Sequence, residues 1–358
     1  MKKIKLGDLC VPSAGQLKKD SDELIDYIDI SSVDNETKKV TGYQTLLFEE
    51  APSRARKTVK KGSILVSTVR PNLNAVAMLE EDTPNISVAS TGFCVLDSKE
   101  NVDNRFILNF CKSKTFINAM VAQATGASYP AVSDKIVRAA LVPDYTYEEQ
   151  CNISEVLDKV SNVIEKRKAE LCSLDDLIKA RFVELFCNKG YPIIKWNDIF
   201  NTTTGKLDSN DAVEDGKYPF FTCAKEASRI DDFAFDQEAL LLAGNNAAGK
   251  YDVKYYKGKF NAYQRTYVLS LKNDWSYQLF RYQLEDKLVY LQQQSLGGLT
   301  KYLTMKILET LEFVVPPKIR QIEFENFVAQ VDKSKSAVKK ALDETQLLFD
   351  SLMQEYFG

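Results

Sequence analysis

The stretch EEQCNISEVLDKVSNVIEKRKAELCSLDDLIKARFVELFC, from Glu148 to Cys187, decides the architecture. Ile153, Leu157, Val160, Ile164, Leu171, Leu174, Ile178 and Leu185 follow an alternating four-and-three register, broken only where Arg167 and Arg181 take seam positions. That register predicts one long heptad helix over about 148 to 187, with a single apolar stripe. A second stretch, IRQIEFENFVAQVDKSKSAVKKALDETQLLFDSLMQEYF, from Ile319 to Phe357, repeats it through Phe324, Val328, Val331, Val338, Leu342, Phe349, Leu352 and Tyr356. Lys335 and Thr345 are its exceptions. Neither stretch contains Pro or Gly, and a proline stop precedes each, at Val142-Pro143 and at Val315-Pro316-Pro317. A helix of this size must bury its stripe, and the other helix of the same chain is the expected partner, in antiparallel pairing with a globule held at each end; the alternative is that the helices are independent or join a dimer.

Outward from the helices the texture changes to short β-branched apolar runs bounded by Gly, Pro, Asn and Asp. Gly62-Ser63-Ile64-Leu65-Val66-Ser67, Glu238-Ala239-Leu240-Leu241-Leu242-Ala243 and Arg265-Thr266-Tyr267-Val268-Leu269 read as strands. The two halves also answer one another. Leu6-Gly7-Asp8-Leu9 matches Trp196-Asn197-Asp198-Ile199, Thr91-Gly92-Phe93 matches Arg265-Thr266-Tyr267, and Gly126-Ala127 matches Gly297-Gly298. Within the helices an offset of 174 lays Leu157 on Val331 and Ile178 on Leu352. The expected fold is therefore α+β: two mixed α/β domains in tandem repeat, separated and held by two long antiparallel coiled-coil helices. Its parts are a globule at 1–146, a helix at 147–187, a globule at 188–317 and a helix at 318–358.

Composition narrows the chemistry. The chain of 358 residues has no histidine, which removes Ser-His-Asp and Cys-His mechanisms and His-bound zinc. Seven scattered cysteines contain no C-x-x-C pair, so neither a disulfide framework nor a thiolate zinc site fits. The basic opening Met1-Lys2-Lys3 has no apolar run behind it, and no segment approaches a membrane span, so a reduced, cytoplasmic protein without a membrane partner is expected. Gly244-Asn245-Asn246-Ala247-Ala248-Gly249-Lys250 matches the glycine and lysine spacing of a phosphate loop. However, Tyr251 stands where Ser or Thr must ligate magnesium, and Tyr251 to Tyr256 alternates like a strand. No methyl-donor loop and no short-range acidic-x-Lys nuclease triplet is found.

Net charge is −3 with a pI of about 5.5, whereas a DNA-binding domain is usually basic. The deficit is local: residues 1–146 hold 19 Lys and Arg against 18 Asp and Glu, and 188–317 hold 16 of each, so the helices carry the excess acid. On the globules Arg54, Arg56, Lys57, Lys60 and Lys61 precede Arg70 and Asn72. In the second globule Asn245, Asn246, Lys250, Lys254, Tyr255, Lys257 and Lys259 lead to Gln264 and Arg265. Such cations suit phosphates, and Asn, Gln and Arg can make paired hydrogen bonds with base edges. A charge run is by itself most often a solvated face. The matched placement in two diverged globules favours a shared role, with these residues as candidate DNA contacts.

The order of parts resembles the specificity subunit of a type I restriction-modification system. The resemblance rests on Lys5-Leu6-Gly7-Asp8-Leu9, Gly62 to Ser67 running into Arg70-Pro71, the turn Gly126-Ala127-Ser128-Tyr129-Pro130, and Leu141-Val142-Pro143 with Glu149-Gln150. Much of this recurs at Gly297-Gly298-Leu299, Val314-Val315-Pro316-Pro317 and Gln321. It implies two target-recognition domains, each reading half of an asymmetric, bipartite double-stranded DNA site. It also implies that the helices dock two methyltransferase subunits and, through them, a restriction and translocation subunit. No catalytic residue, metal or cofactor is then expected in this chain, with S-adenosylmethionine, ATP and Mg belonging to the partners. Alternatives are a system whose nuclease and methyltransferase are fused, a noncatalytic coiled-coil protein scaffold, and an enzyme that nicks DNA by itself.

Overall fold

The computed structural model describes residues 2–12, 15–17, 23–247 and 249–358; Met1 and Ala248, through which the sequence reading passes, lie outside them. The chain divides into two compact units, Met1–Lys168 with Lys340–Gly358, and Ala169–Lys339. Two helices of 40 residues run through Tyr147–Phe186 and Lys318–Phe357, each within two residues of the heptad prediction. The first opens on a capping box, in which Glu149 N donates to Thr146 Oγ1 (3.3 Å) and Thr146 N donates to the Glu149 carboxylate (2.7 Å).

In the first unit the strand Ile64–Ser67 lies between Val76–Met78 and Phe93–Leu96, antiparallel to both. A four-stranded sheet orders Gln44–Leu47, Leu24–Ile28, Ile86–Ser90 and Ala55–Thr58. Strand alternation sends Leu65 into a core with Ile28, Phe93 and Val95, while Ile64 and Val66 face a second core built on Phe106, Phe110 and Phe116. That second core includes one end of each long helix: Ile153 and Leu157 from near the start of the first, Met353 and Phe357 from the end of the second. Phe357 is fully buried, with its ring centroid 5.3 Å from that of Phe106.

The second unit is built on the same logic. A six-stranded sheet orders Phe200–Thr204, Thr266–Leu271, Phe235–Ala243, Val253–Ala262, Tyr218–Phe221 and Ser228–Ile230. Ala239 and Leu241 face one core with Phe260, and Leu240 and Leu242 face the other, under Phe280 and Leu284 of the helix Tyr277–Asp286. Here Phe186 packs on Phe324 at 5.4 Å, with Ile178, Leu279, Val328 and Val331 around them. The polar seam positions are also used: Arg181 meets Glu323 at 2.5 Å, and Lys335 meets Asp175 at 2.6 Å.

The helices correspond at an offset of 171, three residues short of the sequence match, because Gln150 and Gln321 are each the fourth residue of their helix. A three-residue slip moves one seam position onto the next, so heptad periodicity cannot tell the two offsets apart. The glutamines settle it by doing the same job. Gln150 Oε1 accepts from Asp103 N (3.1 Å) and its Nε2 donates to Tyr145 O (2.9 Å). Gln321 Oε1 accepts from Ser276 N (2.9 Å) and its Nε2 donates to Pro316 O (2.8 Å). Asp103 and Ser276 each cap a helix, at Asn104 and Tyr277, so one amide ties a long helix to its globule in both units.

Gln321→Leu strands two buried backbone groups and should cost about 2–4 kcal/mol. The exposed Gln330→Leu should change stability by less than about 0.5 kcal/mol. Urea unfolding midpoints of the two variants check this.

Candidate nucleic-acid interface

In the first unit three backbone segments meet at the end of the strand Ile64–Ser67. Thr68 N donates to Gly92 O (2.8 Å), Val132 N donates to Thr68 O (2.9 Å), and Arg70 N donates to Pro130 O (2.7 Å). Arg70 takes the left-handed conformation, φ 49°, which a non-glycine residue adopts only at a cost of about 1–3 kcal/mol. It starts the short turn Pro71–Leu73, and its guanidinium lies 4.7 Å over the Tyr129 ring. The bond from Thr91 N to Arg54 O (2.8 Å) brings Arg54 to the same edge. Arg54, Arg70 and Asn72 are exposed there, beside a cleft of about 610 Å³ lined by Ile30, Val33, Leu73 and Tyr129 among others.

The second unit repeats this junction. Gly244 N donates to Arg265 O (2.8 Å) and Leu303 N donates to Gly244 O (2.8 Å), while Asn245–Asn246 pairs antiparallel with Lys301–Tyr302. A Cβ at Gly244 would stand 2.3 Å from Arg265 O, so only glycine lets the two segments approach. Asn246 Oδ1 accepts from Lys250 N (3.3 Å), and Gln264 donates to Asp208 (3.4 Å). Asn245, Asn246, Lys250, Gln264 and Arg265 therefore share one edge. Beyond Gly249–Lys250 the chain enters the strand Val253–Ala262, so the segment does not lead into the helix N-terminus of a phosphate loop.

Other candidates lie elsewhere. Lys57 is buried, and its ammonium donates to Phe93 O and to the Asp134 carboxylate, both at 2.6 Å. Lys254 is bound to Asp252 and donates to Ala224 O (2.9 Å). Neither is a free cation on a face, because each ammonium bridges segments of its own globule. Tyr255 donates to Glu238 (2.7 Å), and burial together with that carboxylate pushes its phenol well above the usual tyrosine range. Arg56 folds back over Phe48 at 5.1 Å. Lys60 and Lys61 sit at the opposite end of the strand from Arg70. Lys257, paired with Glu238 at 3.2 Å, and Lys259, 4.5 Å over Phe233, lie along the strand away from Asn245. Sequence reasoning missed Tyr129, Lys301 and Tyr302 as members of the edge, although Gly126-Ala127 and Gly297-Gly298 signalled the turns that carry them. Burial pushes the thiols of Cys10, up to about 11, and Cys94, up to about 12, above the usual cysteine value.

Two stretches, residues 1–172 and 188–345, match the profile of the type I restriction modification DNA specificity domain, one in each half of the chain. The chain belongs to this specificity-domain family. A relative from Escherichia coli, the type I restriction enzyme EcoDI specificity subunit, is 34% identical over 154 residues, covering 41% of this chain and 33% of the relative. The type I restriction enzyme HindI specificity subunit of Haemophilus influenzae is 27% identical over 143 residues, covering 38% and 30%. Each match thus spans about a third of the length of the relative. The fold is similar to that of the type I restriction-modification system S subunit from M. genitalium, with TM-score 0.63 and 15% identity over 100% of this chain and 96% of that one. Among the described residues no helix of this specificity-domain protein is long and apolar enough to cross a membrane.

Because the Lys57 ammonium holds a carbonyl and a carboxylate of its own globule, Lys57→Met should lower the unfolding free energy by about 2 kcal/mol. The exposed Lys60→Met should change it by less than about 0.5 kcal/mol. Equal losses in chemical denaturation would contradict the structural role.

Proposed function

We propose that this chain is the noncatalytic DNA-specificity subunit of a type I restriction-modification complex, each globule reading one half of an asymmetric, bipartite target. The observation that carries the reading is the twofold match to a DNA specificity domain, joined to two equivalent strand-end edges with different side chains. The first presents Arg54, Arg70 and Asn72, and the second Asn245, Asn246, Lys250, Gln264 and Arg265. Phosphate contacts position a protein on the duplex while Asn, Gln and Arg read base edges, and both kinds of group are present at each edge. Two unlike edges suit two unlike half-sites, whereas identical domains would call for a palindrome.

Methylation and cleavage are assigned to partner subunits. Two methyltransferase subunits dock on the long helices, and a restriction and translocation subunit joins through them; S-adenosylmethionine, ATP and Mg are bound by those partners. Apolar side chains left exposed along the helices support the docking: Val156, Val163, Leu177 and Val183 on the first, Ile319 and Leu347 on the second. The two helices are read as an antiparallel coiled coil. The domain bounds of this reading are 1–146 and 188–317 for the globules, 147–187 and 318–358 for the helices.

The test is DNA binding by the complex as salt is varied. Replacing Arg54, Arg70, Lys250 and Arg265 together by Ala should flatten the slope of log K against log salt by about one unit per lost phosphate contact. An unchanged slope would remove these edges from the interface.

A further inference from the structure

The edges of the two globules differ in almost every side chain, yet one piece is built the same way in both. After the helices Lys114–Gln123 and Leu288–Gln294 the chain makes a turn closed by a pair of backbone hydrogen bonds. In the first, Thr125 and Ala131 exchange bonds of 3.0 and 2.9 Å; in the second, Leu296 and Tyr302 exchange bonds of 3.0 and 2.9 Å. Gly126 at φ 104° and Gly297 at φ 98° open the two turns. A Cβ there would stand 2.8 Å from Tyr129 O or 2.2 Å from Thr300 O, so the tight closure requires glycine. Each turn is then tied to the reading edge, at Thr68 in one unit and Gly244 in the other.

What these rigid turns hold outward is large and mostly apolar. Leu299 is 96% exposed, and Tyr129 is 68% exposed with the Arg70 guanidinium on its face. Leu299 gains almost no burial from its own chain, although a fully buried leucine contributes about 1.5–3 kcal/mol. Its surroundings are cationic and amide-rich: Asn246 faces Lys301 across the short ladder, and Gly249, next to Lys250, approaches the Lys301 side chain. Apolar tips rimmed by cations fit a duplex, whose phosphates meet the rim while a sugar or a base step meets the tip. The two tips are not equivalent residues, since Leu299 stands where the first turn has Ser128 and Tyr129 where the second has Thr300; what both globules share is the glycine turn and an apolar tip held out by it, and a shared feature cannot be what distinguishes their half-sites.

We propose that the glycine turns 126–130 and 297–301 are a sequence-independent grip, in which Tyr129 and Leu299 pack against the duplex whatever its sequence. Discrimination is left to Arg70 and Asn72 in one globule, and to Asn245, Gln264 and Arg265 in the other. This rests on the DNA-reading function proposed above.

The experiment measures affinity of the assembled complex for a cognate and a scrambled duplex by fluorescence anisotropy, at one salt concentration. The variants are Leu299→Ser, which leaves the contact of Arg70 with Tyr129 in place, and separately Asn245→Ala with Arg265→Ala. Because Leu299 is almost wholly exposed, the first variant should keep its unfolding midpoint. It should bind both duplexes about tenfold more weakly, in line with the loss of an apolar contact to a base, and keep the ratio of the two affinities within about twofold. The second variant should lower that ratio. If the turn variant binds both duplexes normally, or alters the ratio or the methylated sequence, the grip is overturned while the reading edges stand. If neither variant changes binding to either duplex, the DNA-reading function of these edges fails with it.

Discussion

The burial of aromatic helix ends inside the globules is the constraint on which the rest depends. In the first unit Phe357, the last helical residue, fills a core with Phe106 and Phe110, and Met353 and Leu157 share it. In the second, Phe186 and Phe324 form the equivalent contact under Leu279. The helix ends are therefore parts of the cores and not linkers beside them. The buried amides of Gln150 and Gln321 add orientation to this burial. Each bonds the N-cap of a globule helix and the carbonyl that leads into a long helix, which fixes the angle at which the helix leaves.

With the helix ends so anchored, the opposite end of each central strand is free to vary. Leu65 and Leu241 face equivalent cores, whereas the residues that follow, Thr68 to Asn72 and Gly244 to Lys250, diverge at the surface. Variation confined to loops on a rigid scaffold is the arrangement expected of a recognition module. In globules of balanced charge, Arg54, Arg70, Lys250 and Arg265 stay exposed at these edges, while Lys57 and Lys254 are bound within the fold.

Much of the fold was legible because it rests on periodicity. Both long helices lie within two residues of the heptad reading, and the strands at Ile64 and Leu240 follow from short apolar runs between turn residues. The offset between the helices was not legible, because a seam repeats under a slip from one apolar position to the next. Of the candidate contacts, the sequence shows the residue types but not the environment each one meets. Nothing local distinguishes Lys57 from Lys60; the distinction comes from Asp134, which tertiary folding brings to Lys57. Lys254 likewise meets Ala224 across the fold. Tyr129 and Leu299 escaped notice for the opposite reason, since exposure of an apolar residue depends on a turn geometry that the glycines only hint at.

The central claim, that two independent globules read two different half-sites, is tested most directly by exchange. Residues 188–317 would be replaced by the corresponding segment of another member of the family, and the methylated sequences of cells carrying the chimera with its partner subunits would be read across the genome. One half of the target should be replaced while the other is retained. A target changed in both halves, or unchanged, would contradict the account.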